Sequence, residues 1–313
     1  MADAQARRGR VLRGINAIYD VETDAGTLRC RIKGKVLKTT TRQYNPIAAG
    51  DVVAVAPDPS SPGTGMITGL DVRRTQLSRW NRKGRAPQVI AANADLAVCV
   101  ASTRSPPFRP RFIDRLAAAA EDGGLEVLLL LNKCDLDADP IDLERLEDFR
   151  RIGYRVHPCS AATGEGIPGL AELLRGKLAV FVGQSGVGKS SVLNALSPGL
   201  GLRVGDVSAR RDRGIHTTVN AELLRTPEGL EVIDTPGIRE LMLTGLELQD
   251  LAFRYRDLAT YAPACAVAAC LHEEEEGCAV RDAAGAGNVH PDRYESYLRA
   301  LAELRDERRY AHG

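Results

Sequence analysis

The chain has little of what marks membrane proteins and disulfide-rich secreted proteins. Its longest apolar runs, such as residues 127–131, are far too short to cross a bilayer. Seven cysteines in 313 residues are too few for a disulfide scaffold. The opening residues, MADAQARRGR, contain no apolar core of a secretory signal. We therefore expect a soluble protein of the cytoplasm, a reducing compartment, with no membrane partner.

The net charge of +1 conceals an uneven distribution along the chain. Residues 1–90 contain 16 Lys and Arg against 7 Asp and Glu, a formal charge of +9, which leaves −8 for residues 91–313. A basic end on a neutral chain favours a polyanionic partner. The alternative is a solvated basic face without a partner, and charge alone does not decide between them.

Three regions differ in their hydrophobic patterns. Residues 1–78 contain short alternating runs, as in TLRCRIKG, and predict a small β-barrel, for which an oligonucleotide-binding (OB) barrel is one candidate among several. In residues 79–244, strand-like and helix-like segments alternate, which predicts a parallel α/β sheet. Residues 245–313 are predicted to be helical. The fold class is therefore multidomain α/β.

A phosphate-loop pattern, Gly183-x4-Gly188-Lys189-Ser190, follows a predicted strand and opens a predicted helix. Its glycines allow backbone N–H groups to point at phosphate oxygens, Lys189 supplies a positive charge for catalysis, and the Ser190 hydroxyl is suited to Mg²⁺. A glycine-rich turn without a ligand is the alternative. The predicted nucleotide contacts are Gly183, Gln184, Ser185, Gly186, Val187, Gly188, Lys189, Ser190 and Ser191.

A second pattern indicates which base is bound. In Asn132-Lys133-Cys134-Asp135, a carboxylate at a strand end can accept hydrogen bonds from N1–H and N2–H₂ of guanine, and adenine has no donors there. Ser160-Ala161 follows the next predicted strand and can offer a backbone N–H to the guanine oxygen. Each pattern is weak when taken alone.

Two further segments complete a GTPase set. Asp234-Thr235-Pro236-Gly237 places a carboxylate for Mg²⁺ and a glycine N–H for the γ-phosphate. Thr217 or Thr218 can complete the Mg²⁺ shell, and we include Thr218 among the predicted nucleotide and metal contacts. The usual order of these parts is cyclically shifted, because the guanine motifs precede the phosphate loop. The sequence therefore predicts a circularly permuted GTPase, and permutation is tolerated where chain termini lie close together.

A compact cluster of soft ligands lies in the third region. Cys265, Cys270, His272 and Cys278 fall within 14 residues, whereas the other four cysteines are scattered. Three thiolates and an imidazole suit one structural Zn²⁺. The alternative is buried cysteines beside an exposed histidine. The acidic run 273–276 is expected to be a solvated loop, because hard carboxylates compete poorly for such a site.

The whole chain resembles the circularly permuted GTPases that assist maturation of the small ribosomal subunit, the RsgA/YjeQ family. The permuted order over residues 132–237, the basic N-terminal barrel and the cysteine cluster carry the resemblance. It implies an OB barrel, a GTPase core and a zinc domain. It also implies the 30S subunit with its 16S rRNA as partner and activator, whereas GTP and GDP are the ligands that the motifs themselves predict. We expect a monomer.

The water-orienting residue is not evident from the motifs. Ile238 occupies the position after Asp-x-x-Gly where many GTPases carry glutamine, and an aliphatic side chain cannot orient water. His216, beside the candidate Mg²⁺ threonines, is the predicted catalytic residue, and the resemblance points the same way. An ordinary loop histidine is the alternative.

Three further alternatives stay open. The basic stretch SRWNRKGR around Trp80 is interpreted either as an RNA-contacting loop or as a linker with Trp80 packed inward. The chain can be an RNA-binding adaptor with vestigial hydrolysis rather than an enzyme, or a permuted GTPase of the large subunit. Intact motifs favour the enzyme, and the resemblance favours the small subunit.

Overall fold

The computed structural model of the chain describes residues 6–34, 43–202, 221–238 and 241–312. Within them, strands come first, an α/β region follows, and helices end the chain. The predicted order of architectures is therefore confirmed.

The N-terminal region is a closed five-stranded barrel. Its strands are β1 Arg7–Ile15, β2 Ile18–Thr23, β3 Gly26–Ile32, β4 Val52–Pro57 and β5 Thr64–Leu70. Strand β1 pairs with both β2 and β4, and β3 runs parallel to β5, so the strand order 1-2-3-5-4 closes on itself. This is the Greek-key arrangement of an OB barrel. The alternating residues point inward, as Val11, Val21, Cys30, Val53 and Ile67 do, and all five are fully buried.

A β-hairpin follows the barrel. It consists of β6 Gln76–Asn81 and β7 Ala86–Ala92, and its turn holds three of the four basic residues of SRWNRKGR, Arg82, Lys83 and Arg85. Trp80 is 8% exposed, and its backbone N–H donates to the carbonyl of Met242 at 3.0 Å. Trp80 is thus packed inward, and the interpretation of it as an exposed base-stacking residue is wrong.

The central region contains a parallel sheet covered by helices. Its strands are β8 Leu96–Ser102, β9 Glu126–Asn132, β10 Arg155–Pro158, β11 Leu178–Gly183, β12 Glu222–Arg225 and β13 Glu231–Asp234. The order is β10-β9-β8-β11-β13-β12, and only β12 runs antiparallel to its neighbour. Its helices are α1 Pro110–Asp122, α2 Pro140–Arg151, α3 Ile167–Leu174 and α4 Lys189–Leu196.

The run of leucines before Asn132 has a simple physical cause. Along β9, Leu129 and Leu131 enter one apolar core, whereas Leu128 and Leu130 enter the core on the opposite face of the sheet. A strand buried on both faces has no solvent side, so it reads as a continuous apolar run.

The C-terminal region contains two 3₁₀ segments, Leu248–Arg254 and Ala262–Ala264, and three helices, α5 Arg256–Tyr261, α6 Ala279–Gly285 and α7 Pro291–His312. Tyr297, Leu301 and Leu304 of α7 are buried, as the helical spacing predicts. No helix among the described residues is both long and apolar enough to span a membrane.

Four helices meet at a buried ionic cluster that joins the C-terminal region to the central one. Arg293 of α7 is 1% exposed and bonds Asp257 of α5 at 2.7 Å and Asp114 of α1 at 2.5 Å. Arg145 of α2 also reaches Asp114, at 3.2 Å. Buried charges of this kind persist only when each has partners, so the cluster fixes how these helices meet.

Candidate nucleotide site and metal centre

The predicted nucleotide motifs lie where the parallel strands end. Strands β9, β11 and β13 finish at Asn132, Gly183 and Asp234, and their carboxyl ends share one edge of the sheet. This edge is where α/β sheets bind ligands. Motifs that are separated by about fifty or a hundred residues in the chain are therefore neighbours in the fold.

Asn132 connects three of the predicted motifs. Its buried side chain donates from Nδ2 to the carbonyl of Val187, at 2.9 Å, and its Oδ1 accepts from the N–H of Ala161, at 3.0 Å. One amide thus holds the phosphate loop and the Ser160-Ala161 loop in register with its own strand end. Gly188 lies beside it with φ of +94°, and a Cβ there would lie 2.3 Å from Nδ2 of Asn132. Only glycine fits this contact.

Lys133 fastens the phosphate loop from the other side. Its ammonium donates to the carbonyl of Gly186 at 2.8 Å and also to the carbonyl of Ser105. Burial lowers the pKa of Lys133, and Asp135 opposes that shift. The side chain of Lys133 is thereby fixed across the site. The backbone carbonyl of Lys133 accepts a hydrogen bond from the hydroxyl of Thr103 at 2.8 Å.

The predicted base-reading carboxylate is exposed and oriented. Asp135 accepts a hydrogen bond at 2.5 Å from the hydroxyl of Ser160, which is itself fully buried. Cys134 donates its backbone N–H to the carbonyl of Cys159 at 3.1 Å, so the two loops run side by side. A fixed acceptor pair beside the free end of a loop suits the two adjacent donors of guanine.

The phosphate loop wraps around a buried lysine. The ammonium of Lys189 donates to the carbonyls of Gly183 and Gln184, at 2.9 and 3.1 Å, and the residue is 7% exposed. Burial lowers the pKa of Lys189 to about 8, and Asp234 opposes that shift. A bound polyphosphate would add negative charge to that of Asp234 and so favour the charged ammonium. Ser190 and Ser191, at the start of α4, are half-buried beside it.

Asp234 and Gly237 lie directly across from the phosphate loop. A Cβ on Gly237 would lie 2.9 Å from the Cα of Ser185, so this glycine permits close approach. Ile238 donates its N–H to the carbonyl of Gly183 at 3.1 Å, and its side chain is 4% exposed. Ile238 therefore packs into the core instead of facing a substrate. His216, Thr217 and Thr218 lie outside the described residues, so their predicted roles stay predictions.

The four predicted metal ligands converge on one point. Nδ1 of His272 lies 3.5 Å from the sulfur of Cys265 and 3.4 Å from that of Cys278, and these two sulfurs are 4.0 Å apart. With Cys270, all four ligand atoms lie within 4.8 Å of one another. Tetrahedral zinc with bonds of about 2.0–2.3 Å separates such atoms by about 3.5–3.8 Å. The residues fit a Cys₃His zinc site, in which the ion would supply structural cross-linking.

Surrounding groups hold this cluster in shape. Burial lowers the pKa of His272, which favours the neutral imidazole that metals require. The hydroxyls of Tyr294 and Tyr297 donate to the carbonyls of His272 and Leu271. In the acidic run, Glu275 accepts from the N–H groups of residues 271 and 273, both at 2.8 Å. The expectation of a purely solvated acidic loop is wrong for Glu275, because its carboxylate braces the loop between the ligands.

Sequence reasoning missed the contacts that assemble the nucleotide site. No pattern assigned Asn132 its two bonds, and nothing drew attention to Thr103 or Ser105 after β8. The available signal was position, because residues 103–105 follow a strand of the same parallel sheet.

Replacing Asn132 with alanine is expected to weaken GTP binding about 10- to 100-fold. The change leaves the Val187 carbonyl and the Ala161 N–H without their partner, and each such loss costs about 1–3 kcal/mol. Titration with a fluorescent GTP analogue measures the effect. Asn45→Ala is the matched control, because Asn45 also bonds backbone groups through both side-chain atoms but lies far along the chain, beside β7. Equal affinity in the two variants would contradict the role of Asn132.

Comparisons with known proteins address the same regions. Two family models match, one described as RsgA N-terminal domain over residues 8–67 and one as RsgA GTPase over residues 70–244. Proteins named small ribosomal subunit biogenesis GTPase RsgA are 40% identical over 305 residues in Chlorobaculum tepidum and 39% identical over 297 residues in Moorella thermoacetica. Each alignment covers 95% of this chain and 97% of the relative.

Solved structures agree with the family match. The crystal structure of YjeQ from Thermotoga maritima superimposes with a TM-score of 0.71 at 31% identity, covering 96% of this chain and 98% of that one. A structure described as YloQ, a circularly permuted GTPase, gives 0.67 at 26% identity, with 97% of both chains covered. The predicted fold class, including the permuted core, is confirmed. The chain belongs to the RsgA family of GTPases.

Proposed function

We propose that this chain hydrolyses GTP to GDP and phosphate and acts in maturation of the small ribosomal subunit. The observation that carries the proposal is the junction at Asn132, where one buried amide joins the phosphate loop to both guanine-reading loops. A site that served phosphate binding alone would not need this connection to the base-reading loops. The names of the relatives, which refer to small-subunit biogenesis, supply the biological context.

The residues divide the work of binding and hydrolysis. Asp135 accepts from guanine while Ser160 orients it, and the N–H of Ala161, which donates to Asn132, fixes the Ser160-Ala161 loop beside the base instead of reading the guanine oxygen. Lys189 and the N–H groups of residues 184–189 hold the phosphates. Ser190 and Asp234, with Thr218, are the proposed ligands of Mg²⁺, which neutralises phosphate charge when bound.

A residue other than Ile238 must orient the attacking water, because the side chain of Ile238 is buried. His216 is the proposed group. It follows that activity depends on how residues 212–220 are held, and the bound small subunit is the proposed agent that holds them. The alternative adaptor role predicts nucleotide binding with no stimulated hydrolysis.

We further propose three units with boundaries near residues 78 and 244. The basic barrel is the proposed 16S rRNA-binding unit, since Arg29, Arg31 and Lys33 of its β3 side are not buried. The third unit is proposed to hold one structural zinc through Cys265, Cys270, His272 and Cys278. A monomer acting in the cytoplasm completes the proposal.

His216→Ala is expected to remove most of the ribosome-stimulated rate, about 10²-fold, while GTP affinity and subunit binding stay near those of the unaltered protein. Single-turnover hydrolysis with and without 30S subunits measures the rate, and co-sedimentation measures binding. His290→Ala, at the start of α7, is the control for loss of an imidazole elsewhere. A fully retained stimulated rate would rule out His216, and no stimulation of the unaltered protein would favour the adaptor role.

A further inference from the structure

The barrel and the GTPase sheet are joined along one seam. Arg13 of β1 pairs with Glu222 of β12. On its other side, Glu222 pairs with Asp234 of β13. Residues that are directly opposite in a sheet carry their side chains on the same face. A barrel arginine is therefore two strands away from the carboxylate proposed to bind Mg²⁺.

Ion pairs cross this seam on both sides of the strand pairing. Arg10 and Arg13 of the barrel bond Glu231 and Glu222 of the GTPase sheet, each at 3.1 Å. Arg225 of β12 pairs in the opposite direction across the seam, with Glu22 of β2. Arg225 also pairs with Glu231 of its own sheet at 2.6 Å. We call these six residues the seam clasp: Arg10, Arg13, Glu22, Glu222, Arg225 and Glu231.

The ion pairs of the seam clasp are exposed and weak, so their arginines can exchange partners. The side chains of the Arg13–Glu222 pair are 44% and 29% exposed, so water and salt reach both partners, and pairs of this kind are weak. The ion pair between Arg73 and Asp51 differs from the seam pairs, because its two side chains are only 11% and 0% exposed. A guanidinium binds phosphate with two parallel hydrogen bonds as readily as it binds carboxylate.

We propose that Arg10 and Arg13 exchange Glu231 and Glu222 for RNA phosphates, so that RNA docking on the barrel opens the seam clasp beside Asp234. The inference deepens the proposed function and rests on it for the chemistry of the partner. Because the two sets of contacts compete for the same arginines, RNA binding and closure of the clasp oppose each other, and the coupling is reciprocal. Binding of RNA to the barrel thereby changes the side-chain contacts of β12 and β13, the strand pair that carries Asp234.

The double variant Glu222→Gln/Glu231→Gln tests the exchange without involving hydrolysis. It removes the two carboxylates that pair with Arg10 and Arg13 across the seam and leaves both arginines in place, Arg13 with its remaining partner Asp20 in the barrel at 2.7 Å. Affinity for a short fluorescent RNA hairpin should therefore rise about fivefold at low salt. Glu147→Gln/Glu172→Gln is the matched control. It makes the same change in net charge, and each of its carboxylates bonds an arginine of the GTPase core away from the seam.

Hydrogen exchange supplies the second measurement on the unaltered protein. Added RNA should increase exchange of the backbone amides of residues 222–225, because β12 loses the side-chain ion pairs that support its pairing with the barrel. Equal RNA affinity in the clasp and control variants, or unchanged exchange in β12, overturns the clasp. Failure of every variant and of the unaltered protein to bind RNA overturns the proposed RNA partner itself, so the two failures are distinguishable.

Discussion

Asp135→Asn is expected to lower GTP affinity about 10³-fold and to shift preference toward xanthosine triphosphate. The carboxylate accepts from both N1–H and N2–H₂ of guanine, whereas an asparagine amide presents one acceptor and places donors against guanine donors. Sites that satisfy a ligand by specific hydrogen bonds reject a mismatched partner by large factors, because the buried groups are left unpaired. Xanthine has a carbonyl at C2, which accepts from the new amide.

The structure adds a reason to expect a sharp effect. The Ser160 hydroxyl holds Oδ1 of Asp135 at 2.5 Å, so the reading group has one orientation and cannot turn away from a mismatch. Asp137→Asn is the matched control, since Asp137 is equally exposed and lies two residues further on. Competition titrations with GTP, XTP and ATP measure all three affinities for each variant. Equal affinity of the unaltered protein for ATP and GTP would refute the base assignment.

The α/β core could be predicted closely from the sequence because its signals are local. The strand predicted before the phosphate loop is β11 Leu178–Gly183, and the helix predicted after it is α4 Lys189–Leu196. Such elements are coded by burial on both strand faces and by amphipathic helices, which a short window displays. The barrel was predicted in the same way, but the strand pairs that close it were not. Pairing of β1 with β4 and of β3 with β5 is nonlocal and leaves no periodic trace.

The hairpin β6–β7 was missed for a different reason. Its turn holds Arg82, Lys83 and Arg85, and a register shift between Leu77 and Ser78 interrupts the alternation of the strand. Charge then dominates the pattern, and the stretch reads as a linker. The same bias concealed the cluster around Arg293, because charged residues on helices are ordinarily solvated.

The nucleotide site was predicted as a set of motifs but not as an assembly. The motifs identified the candidate residues, because glycine and lysine are suited to binding phosphate and a carboxylate is suited to accepting hydrogen bonds from guanine. Which of them would touch depended on strand order, and β9 lies beside β8 rather than beside β11. The link from Asn132 to Val187 crosses that intervening strand end, so only the folded sheet reveals it.

Loss of the metal centre is expected to unfold the C-terminal region first and to leave the nucleotide site nearly intact. Structural zinc in small domains contributes on the order of 10–16 kcal/mol of folding free energy, which exceeds the stability of most domains. Cys278→Ala removes one ligand and also the sulfur that accepts from the N–H of Arg281 at the start of α6. Protease sensitivity of residues 245–312 should therefore rise.

The core should survive because its own contacts remain. When α7 leaves, Asp114 loses Arg293 but keeps Arg145, so no lone charge stays buried between α1 and α2. Cys30→Ala is the matched control, since Cys30 is equally buried at 0% exposed but loses only apolar packing and a weak thiol hydrogen bond to the carbonyl of Leu28 at 3.6 Å. Limited proteolysis, zinc content and GTP affinity are measured together. About one zinc per chain in the unaltered protein, lost in Cys278→Ala with GTP affinity changed by less than about threefold, is the expected result. Equal protease resistance of the two variants, or protein purified without chelators that contains no zinc, would mean that the cluster stabilises the helices as buried thiols alone.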